Sequence, residues 1–250
     1  MKVRAVTVDF WGTLMIDSPA GDERYQGRRL STFATILRKE GLEFAPAELT
    51  DAYEQSGEFL RRVWSTGRDV PVDEHVTAIL AALDDALPSR LSRNVLRALV
   101  DAYAEPLLLV PPSIDRGARA ALQQLRDAGI SLAIVSNTMR TPGTVLRRLL
   151  ASFKVLECFD FIVFSDEFGV RKPQPEIFRA ALRALGAEAE TTVHVGDDPH
   201  LDVQGARAAG LRTVQLVGRD ADAPPASEAP DRTITSFEEL PAAIAALQEE

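Results

Sequence analysis

The stretch VRAVTVDFWGTL, residues 3–14, decides the fold. After Arg4 it is mostly apolar or β-branched as far as Phe10, the pattern of a parallel strand buried on both faces. The run ends on a carboxylate, Asp9, and passes into a glycine turn. Similar short runs return at residues 131–135 (SLAIV), 161–164 (FIVF), 192–195 (TVHV) and 213–216 (TVQL). Helical patterns separate them: Ala118, Ala121, Leu122 and Leu125 share a face within residues 115–127, with Gly129 as a stop. Phe178, Ala181, Leu182 and Leu185 do the same within 177–185 before Gly186, and residues 203–209 precede Gly210. This alternation predicts an α/β fold with a doubly wound, mostly parallel, Rossmann-like sheet and helices on both faces.

Residues 17–106 break the alternation. They hold no clear strand and instead show four amphipathic helical stretches, near 30–40, 47–64, 72–83 and 91–103. The simplest organisation is an α/β core from residues 1–17 and 106–250, with an all-helical insert over 18–105. Gly21 on the way in and VPPS (110–113) on the way out have the composition of hinges. Residues 219–230 (RDADAPPASEAP) predict a loop, followed by an edge strand at 233–235 and a last helix.

Composition excludes several classes. Over 250 residues, 46% hydrophobic and 26% charged residues suit one large folded domain or two modest ones, not a disordered chain. With 28 basic against 37 acidic side chains the net charge is −9, which offers no basic field to a nucleic-acid backbone. Apolar runs such as 107–110 are far too short to span a membrane, and the chain enters its first strand without a charged leader. A cytoplasmic location is the expectation. The single Cys158 can form no internal disulfide and belongs to no zinc-ligand pattern, so it reads as core filler. Only four of the 28 basic residues are lysines, Lys2, Lys39, Lys154 and Lys172. A chain that prefers arginine so strongly gives more weight to each lysine it keeps.

In open α/β sheets the reacting groups collect at the carboxyl ends of the strands. The first strand ends in DFWGTL (9–14), the second in SNT (136–138) and the fourth in GDD (196–198), followed by Asp202. The segment after the third, SDEFGVRKPQPEIF (165–178), carries Lys172. Two carboxylates from separate strands, Asp9 and Asp197, make a hard-oxygen site suited to Mg²⁺. A free oxygen of Asp9 could attack phosphorus, while Lys172, the Ser136 hydroxyl and backbone N–H groups stabilise the charge that develops.

The ordered set DxxGT from Asp9, SN at 136–137, KPxPxxF from Lys172 and GDDxxxDxxGA from Gly196 resembles the haloacid dehalogenase-like hydrolase superfamily. The resemblance covers almost the whole chain and points to the subclass with a helical cap inserted between the first and second motifs. It implies that Asp9 is nucleophile and metal ligand, that Thr13, Ser136 and Asn137 contact substrate, and that Lys172 bridges nucleophile and substrate. Asp197 would bind Mg²⁺, with Asp202 and Asp198 as supporting acids. The implied reaction is hydrolysis of a small phosphorylated metabolite through an aspartyl-phosphate, with neither nucleic acid nor membrane as partner.

One position departs from this pattern. Phosphatases of the family carry a second Asp two residues after the nucleophile as general acid and base, and here that residue is Trp11. Its backbone carbonyl can still meet a metal, but an indole cannot trade protons, a loss worth roughly 10² to 10⁴ in rate for a poor leaving group. Dehalogenases of the family carry an aromatic residue there, so 2-haloacid dehalogenation through an aspartyl ester is a rival reading. A phosphate-binding or regulatory protein with weak turnover is another. The acidic GDD segment and Asp202 favour the Mg²⁺-dependent phosphatase, because such a cluster beside Asp9 needs a cation.

Other residues have simpler readings beside these. Ser136 and Asn137 are also placed to cap the next helix. His194, inside an apolar strand, reads as a hydrogen-bonded core histidine, and His200 as exposed. Arg24, Arg28 and Arg29 could meet a substrate anion, although such a cluster is more often a solvated helix face.

Overall fold

All four residues of β1 (Ala5–Val8) are buried, as their apolar and β-branched run requires, and a parallel strand lies on each side of them. The computed structural model describes residues 2–16, 21–218 and 228–249. In chain order the other strands are β2 (Met15–Ile16), β3 (Ser113–Ile114), β4 (Ser131–Ser136), β5 (Phe161–Phe164), β6 (Thr192–Gly196), β7 (Arg212–Leu216) and β8 (Arg232–Ile234). The main sheet has six strands in the order β5-β4-β1-β6-β7-β8, every neighbouring pair parallel. The chain builds outward from β1 through β4 and β5, then crosses to the other side of β1 for β6, β7 and β8. Its switch point, where α/β sheets open a crevice at their carboxyl ends, therefore lies beside β1.

Helices α1 (Gly21–Lys39), α2 (Pro46–Trp64), α3 (Val72–Leu83), α4 (Leu87–Arg90) and α5 (Arg93–Ala104) follow the first strands. Then come α6 (Pro106–Leu109), α7 (Ala118–Asp127), α8 (Gly143–Ser152), α9 (Ser165–Phe168), α10 (Pro175–Leu185), α11 (Gly205–Ala208) and α12 (Leu240–Glu249). The period of two along the strands sorts the core into two layers. Val6, Val8, Leu132, Ile134, Val193 and Val195 face α7, α8 and α12, while Ala133 and Val135 face α10 and α11. The sheet is thus doubly wound. A third apolar cluster, with Phe33, Leu37, Ile79, Leu80, Leu99 and Tyr103 at its centre, is built by α1 to α5.

The differences from expectation have local causes. Helix α1 begins at Gly21 rather than near residue 30, because Tyr25 and Arg29 continue its buried face in the N-terminal direction. The segment after β6 is not a single regular helix: a wider, π-type turn over Pro199–Gln204 leads into α11. The way out of the helices at 110–113 holds a feature too short for pattern reading, the antiparallel ribbon β2–β3, in which Met15 faces Ile114. The edge strand falls one residue earlier than expected. Most of the expected loop 219–230 lies outside the described residues, as do residues 17–20 before α1. Cys158 is buried and unpaired, and among the described residues no helix is long and apolar enough to cross a membrane.

Candidate active site

The parallel register brings three strand ends level. Val8 pairs with both Ile134 and Val195, so Asp9 leaves β1 between Ser136 at the end of β4 and Gly196–Asp197 at the end of β6. Two glycines make the packing possible. Gly12, at φ +73°, turns the chain so close to Asp197 that a side chain would overlap its carboxylate, and at Gly196 a side chain would overlap that of Asp202.

Asp9 is 5% exposed. Its Oδ1 accepts hydrogen bonds from Lys172 Nζ at 2.5 Å and from Ser136 Oγ at 2.9 Å. Thr13 Oγ1 donates at 2.8 Å to Asp197 Oδ1 and lies 3.4 Å from Asp9 Oδ2. The same Lys172 ammonium donates to Asp202 Oδ1 at 2.5 Å, joining two buried carboxylates. Ser136 therefore turns to Asp9 instead of capping a helix; α8 starts seven residues later, after Pro142.

The charges are unevenly compensated. Burial alone would lower the Lys172 ammonium, but Asp202 and Asp9 outweigh it and hold Lys172 above its ordinary value. Burial would raise Asp202, yet the same ammonium and His194 hold that carboxyl well below the usual range. Asp9 is pushed up by burial against the pull of Lys172. Asp197 is pushed up to about 7 by burial, with Asp9 and then Asp202 adding to it. Asp9, Asp197 and Asp202 each bring an oxygen within 4.8 Å of the others. Three carboxyls thus share one ammonium, which leaves room in the charge balance for a hard divalent cation.

Neighbours fix the groups that touch the centre. Asn137, expected to contact substrate, has both ends of its carboxamide on the backbone of Lys172: Oδ1 accepts from Lys172 N at 2.8 Å and Nδ2 donates to its carbonyl at 3.1 Å. Asp198, expected as a supporting acid, accepts from the N–H groups of His200 and Leu201, both at 2.8 Å, and so caps the wide turn. His200 is exposed as expected. His194 is a hydrogen-bonded core histidine, with Nδ1 2.8 Å from Thr7 Oγ1, and its Nε2 lies 3.0 Å from Asp202 Oδ1. That link to the site escaped the sequence reading. The available signal was that Thr7 and His194, polar residues in apolar strands, fall opposite each other in the β1–β6 register.

Two further residues gave no local signal. Asp69, from the loop between α2 and α3, is 6% exposed and accepts at Oδ2 from Arg171 Nη1 and Ser165 Oγ, each at 2.5 Å. Arg171 immediately precedes Lys172, so the inserted helices are tied to the loop that carries the ammonium. Trp11 stands half-buried beside the centre, edge-on to Phe10 at 4.9 Å between ring centroids. Its indole N–H is enclosed and has no acceptor among the described residues. Trp11 also forms part of the wall of a cavity of about 670 Å³ between the loops after β1 and β4 and the helices α1 and α2.

Known proteins share this architecture. A crystal structure of a 2-haloacid dehalogenase from Pseudomonas syringae pv. Tomato DC3000 superposes with a TM-score of 0.71 at 21% identity, over 98% of this chain and 99% of that one. In sequence, the chain is 29% identical over 237 residues to the human haloacid dehalogenase-like hydrolase domain-containing protein 3, covering 88% of this chain and 84% of the relative. It is 30% identical over 192 residues to a glyceraldehyde 3-phosphate phosphatase of Pyrococcus furiosus, covering 74% and 73%. The family pattern of the haloacid dehalogenase-like hydrolases matches residues 3–210. With that match over most of its length, and with a parallel sheet that gathers Asp9, Ser136, Lys172 and Asp197 at one edge, the chain belongs to the haloacid dehalogenase-like hydrolases.

Proposed function

We propose that the chain is a Mg²⁺-dependent phosphatase of a small phosphorylated metabolite, working through an aspartyl-phosphate at Asp9. The observation that carries this reading is the placing of Asp9 between two hydrogen-bond donors, Ser136 and Lys172, on one side and Asp197 on the other. Asp9, Asp197 and the backbone carbonyl of Trp11 would hold the cation, with Asp202 in support. When bound, Mg²⁺ supplies charge that neutralises the carboxylates and the phosphoryl oxygens. A carboxylate oxygen of Asp9 attacks phosphorus, and the bond to the leaving oxygen breaks with its electron pair. Lys172 and Ser136 stabilise the transferring group. The leaving oxygen takes its proton from water, because Trp11 has none to give. A second water then releases phosphate and restores the carboxylate. Residues 18–105 would act as a cap that selects substrate and keeps bulk water out.

Hydrolysis of a panel of phosphomonoesters with and without Mg²⁺ tests the reading. Release should need the metal, disappear in Asp9→Asn and favour good leaving groups. Trp11→Asp should raise turnover of alkyl esters by roughly 10² or more. Release that persists in Asp9→Asn would sink the proposal. Trp11 itself favours a second reading, 2-haloacid dehalogenation, since a halide needs no proton on departure. Metal-independent chloride release from 2-chloropropionate would decide for it. Phosphate binding without turnover on any substrate would instead mark a regulatory protein.

A further inference from the structure

The cavity beside Trp11 has three arginines on its wall: Arg61 of α2 is exposed, whereas Arg29 of α1 is buried and Arg140, from the loop after β4, is half-buried. Arg29 is 3% exposed. Its Nε donates to the Tyr103 carbonyl at 2.8 Å, its Nη1 to the Tyr53 hydroxyl at 3.0 Å, and its Nη2 to the Arg140 carbonyl at 3.3 Å and to Thr141 Oγ1 at 3.4 Å. Arg140 donates through Nη1 to Tyr103 Oη at 2.9 Å and Ser56 Oγ at 3.1 Å, and through Nη2 to the Tyr53 carbonyl at 3.4 Å. All these acceptors are neutral. Among the described residues no carboxylate lies within 4.0 Å of either group, whereas Arg147, Arg148 and Arg171 each have one.

Two like charges held side by side without a counter-ion are costly. A guanidinium cannot shed its proton, and in a part-buried setting the repulsion is poorly screened. Hydrogen bonds to neutral acceptors solvate such charges without neutralising them. The acids on the cavity wall, Asp22, Glu54 and Glu58, are exposed, so they lie at the rim and leave the inner end positive. Arg140 also keeps donor capacity in reserve, since its Nε takes no protein acceptor among the described residues. Trp11, two residues after Asp9, and Trp64 add aromatic surface to the same wall, which suits a carbon skeleton.

We propose that this cavity receives the leaving group of the substrate and that Arg140, backed by Arg29, binds a second anionic group on it. The substrate class is then an organophosphate that carries a carboxylate or a second phosphate away from the reacting phosphoryl. This rests on the phosphatase reading and narrows it. Arg29, which the sequence left between anion contact and solvated helix face, becomes a buried source of positive potential behind the contact.

Calorimetric titration with Mg²⁺ present tests this with three matched probes: an alkylphosphonate, the phosphonocarboxylate of the same length and the corresponding bisphosphonate, in several chain lengths. At least one doubly anionic probe should bind about tenfold or more tighter than the alkylphosphonate. Which of the two does so separates a carboxylate from a phosphate as the second group. In Arg140→Gln that advantage should fall to within about twofold, and in Arg140→Lys, which keeps the charge, part of it should return. The advantage is a ratio, so a general loss of folded protein lowers both bindings and leaves it unchanged. Equal binding of all three probes to the wild type overturns the inference and leaves the phosphatase reading standing. So does an advantage that survives in Arg140→Gln. If no probe binds, both fall together.

Discussion

One ammonium holds two carboxylates at the centre of this site, and most of the local physics follows from it. Lys172 Nζ lies 2.5 Å from both Asp9 and Asp202, and all three side chains are almost fully buried. Removing one member of such a set leaves the others as uncompensated buried charge. Lys172→Met should therefore lower unfolding free energy by about 3–5 kcal/mol, read from urea midpoints at neutral pH, and abolish turnover. A loss below about 1 kcal/mol, the scale of an exposed ion pair, would show that the pairing is not buried in solution. The positions of Asp9, Ser136 and Asp197 are legible in the sequence because each lies at or next to the end of a recognisable strand, whereas Lys172 stands beyond α9 on an irregular segment. The sequence does not show the hydrogen bonds that Asp198 and Asn137 make. Their motifs put them beside the centre, but the direction of a short side chain is settled by which backbone N–H or carbonyl it meets.

At the scale of elements, one tie between the inserted helices and the sheet is a short backbone pairing closed by one carboxylate. Asp69 N donates to the Gly169 carbonyl at 3.2 Å and Arg171 N to the Gly67 carbonyl at 3.0 Å, so the loop after α2 runs antiparallel to the segment before Lys172. The Asp69 side chain closes this pairing, taking Arg171 and Ser165 on one oxygen and Trp64 Nε1 at 2.9 Å on the other. Asp69→Asn should destabilise the protein by about 3–5 kcal/mol, since it strands the Arg171 charge. Adding Arg171→Met should recover part of that loss, and the double-mutant cycle measures the coupling. Simple additivity of the two losses would contradict a direct pair. Trp64 emission reports the same event, because its indole N–H loses a charged acceptor. No periodicity announces this contact: Asp69 and Arg171 are 102 residues apart and lie on irregular segments.

For the whole molecule, the buried acids couple stability to pH, and under the proposed function to Mg²⁺ as well. The Asp197 carboxyl is raised from 3.8 to about 7 in the folded chain, so its protonated form is favoured by folding. That contribution is fully present below about 3.8 and is lost as pH rises through about 7. A divalent cation bound there would reverse the penalty by pairing with the ionised form. Mg²⁺ should accordingly raise Tm more at about pH 8 than at about pH 5, by differential scanning fluorimetry. Equal shifts at both values would argue against Asp197 as a metal partner. His75 works in the opposite sense. Burial holds it down to about 4, so its stabilising neutral form is present above about 6.5 and is lost as pH falls through about 4.

The sequence by itself determined the β/α alternation, the helical insertion after the first strand, and the strand ends where Asp9, Ser136 and Asp197 stand. These follow from local periodicity, since a period of two or of 3.6 decides which side chains can be buried together. The tertiary structure alone decided which partner each polar group takes. It put His194 on Asp202, Asn137 on the backbone of Lys172, Asp69 on Arg171 and Arg140 among the tyrosines of the inserted helices. Contacts of this kind join residues far apart in the chain, 102 positions for Asp69 and Arg171 and 187 for Thr7 and His194. Such pairings depend on register, on the volumes of intervening side chains and on the need to satisfy every buried donor and charge at once. Those conditions exist only after the layers have packed.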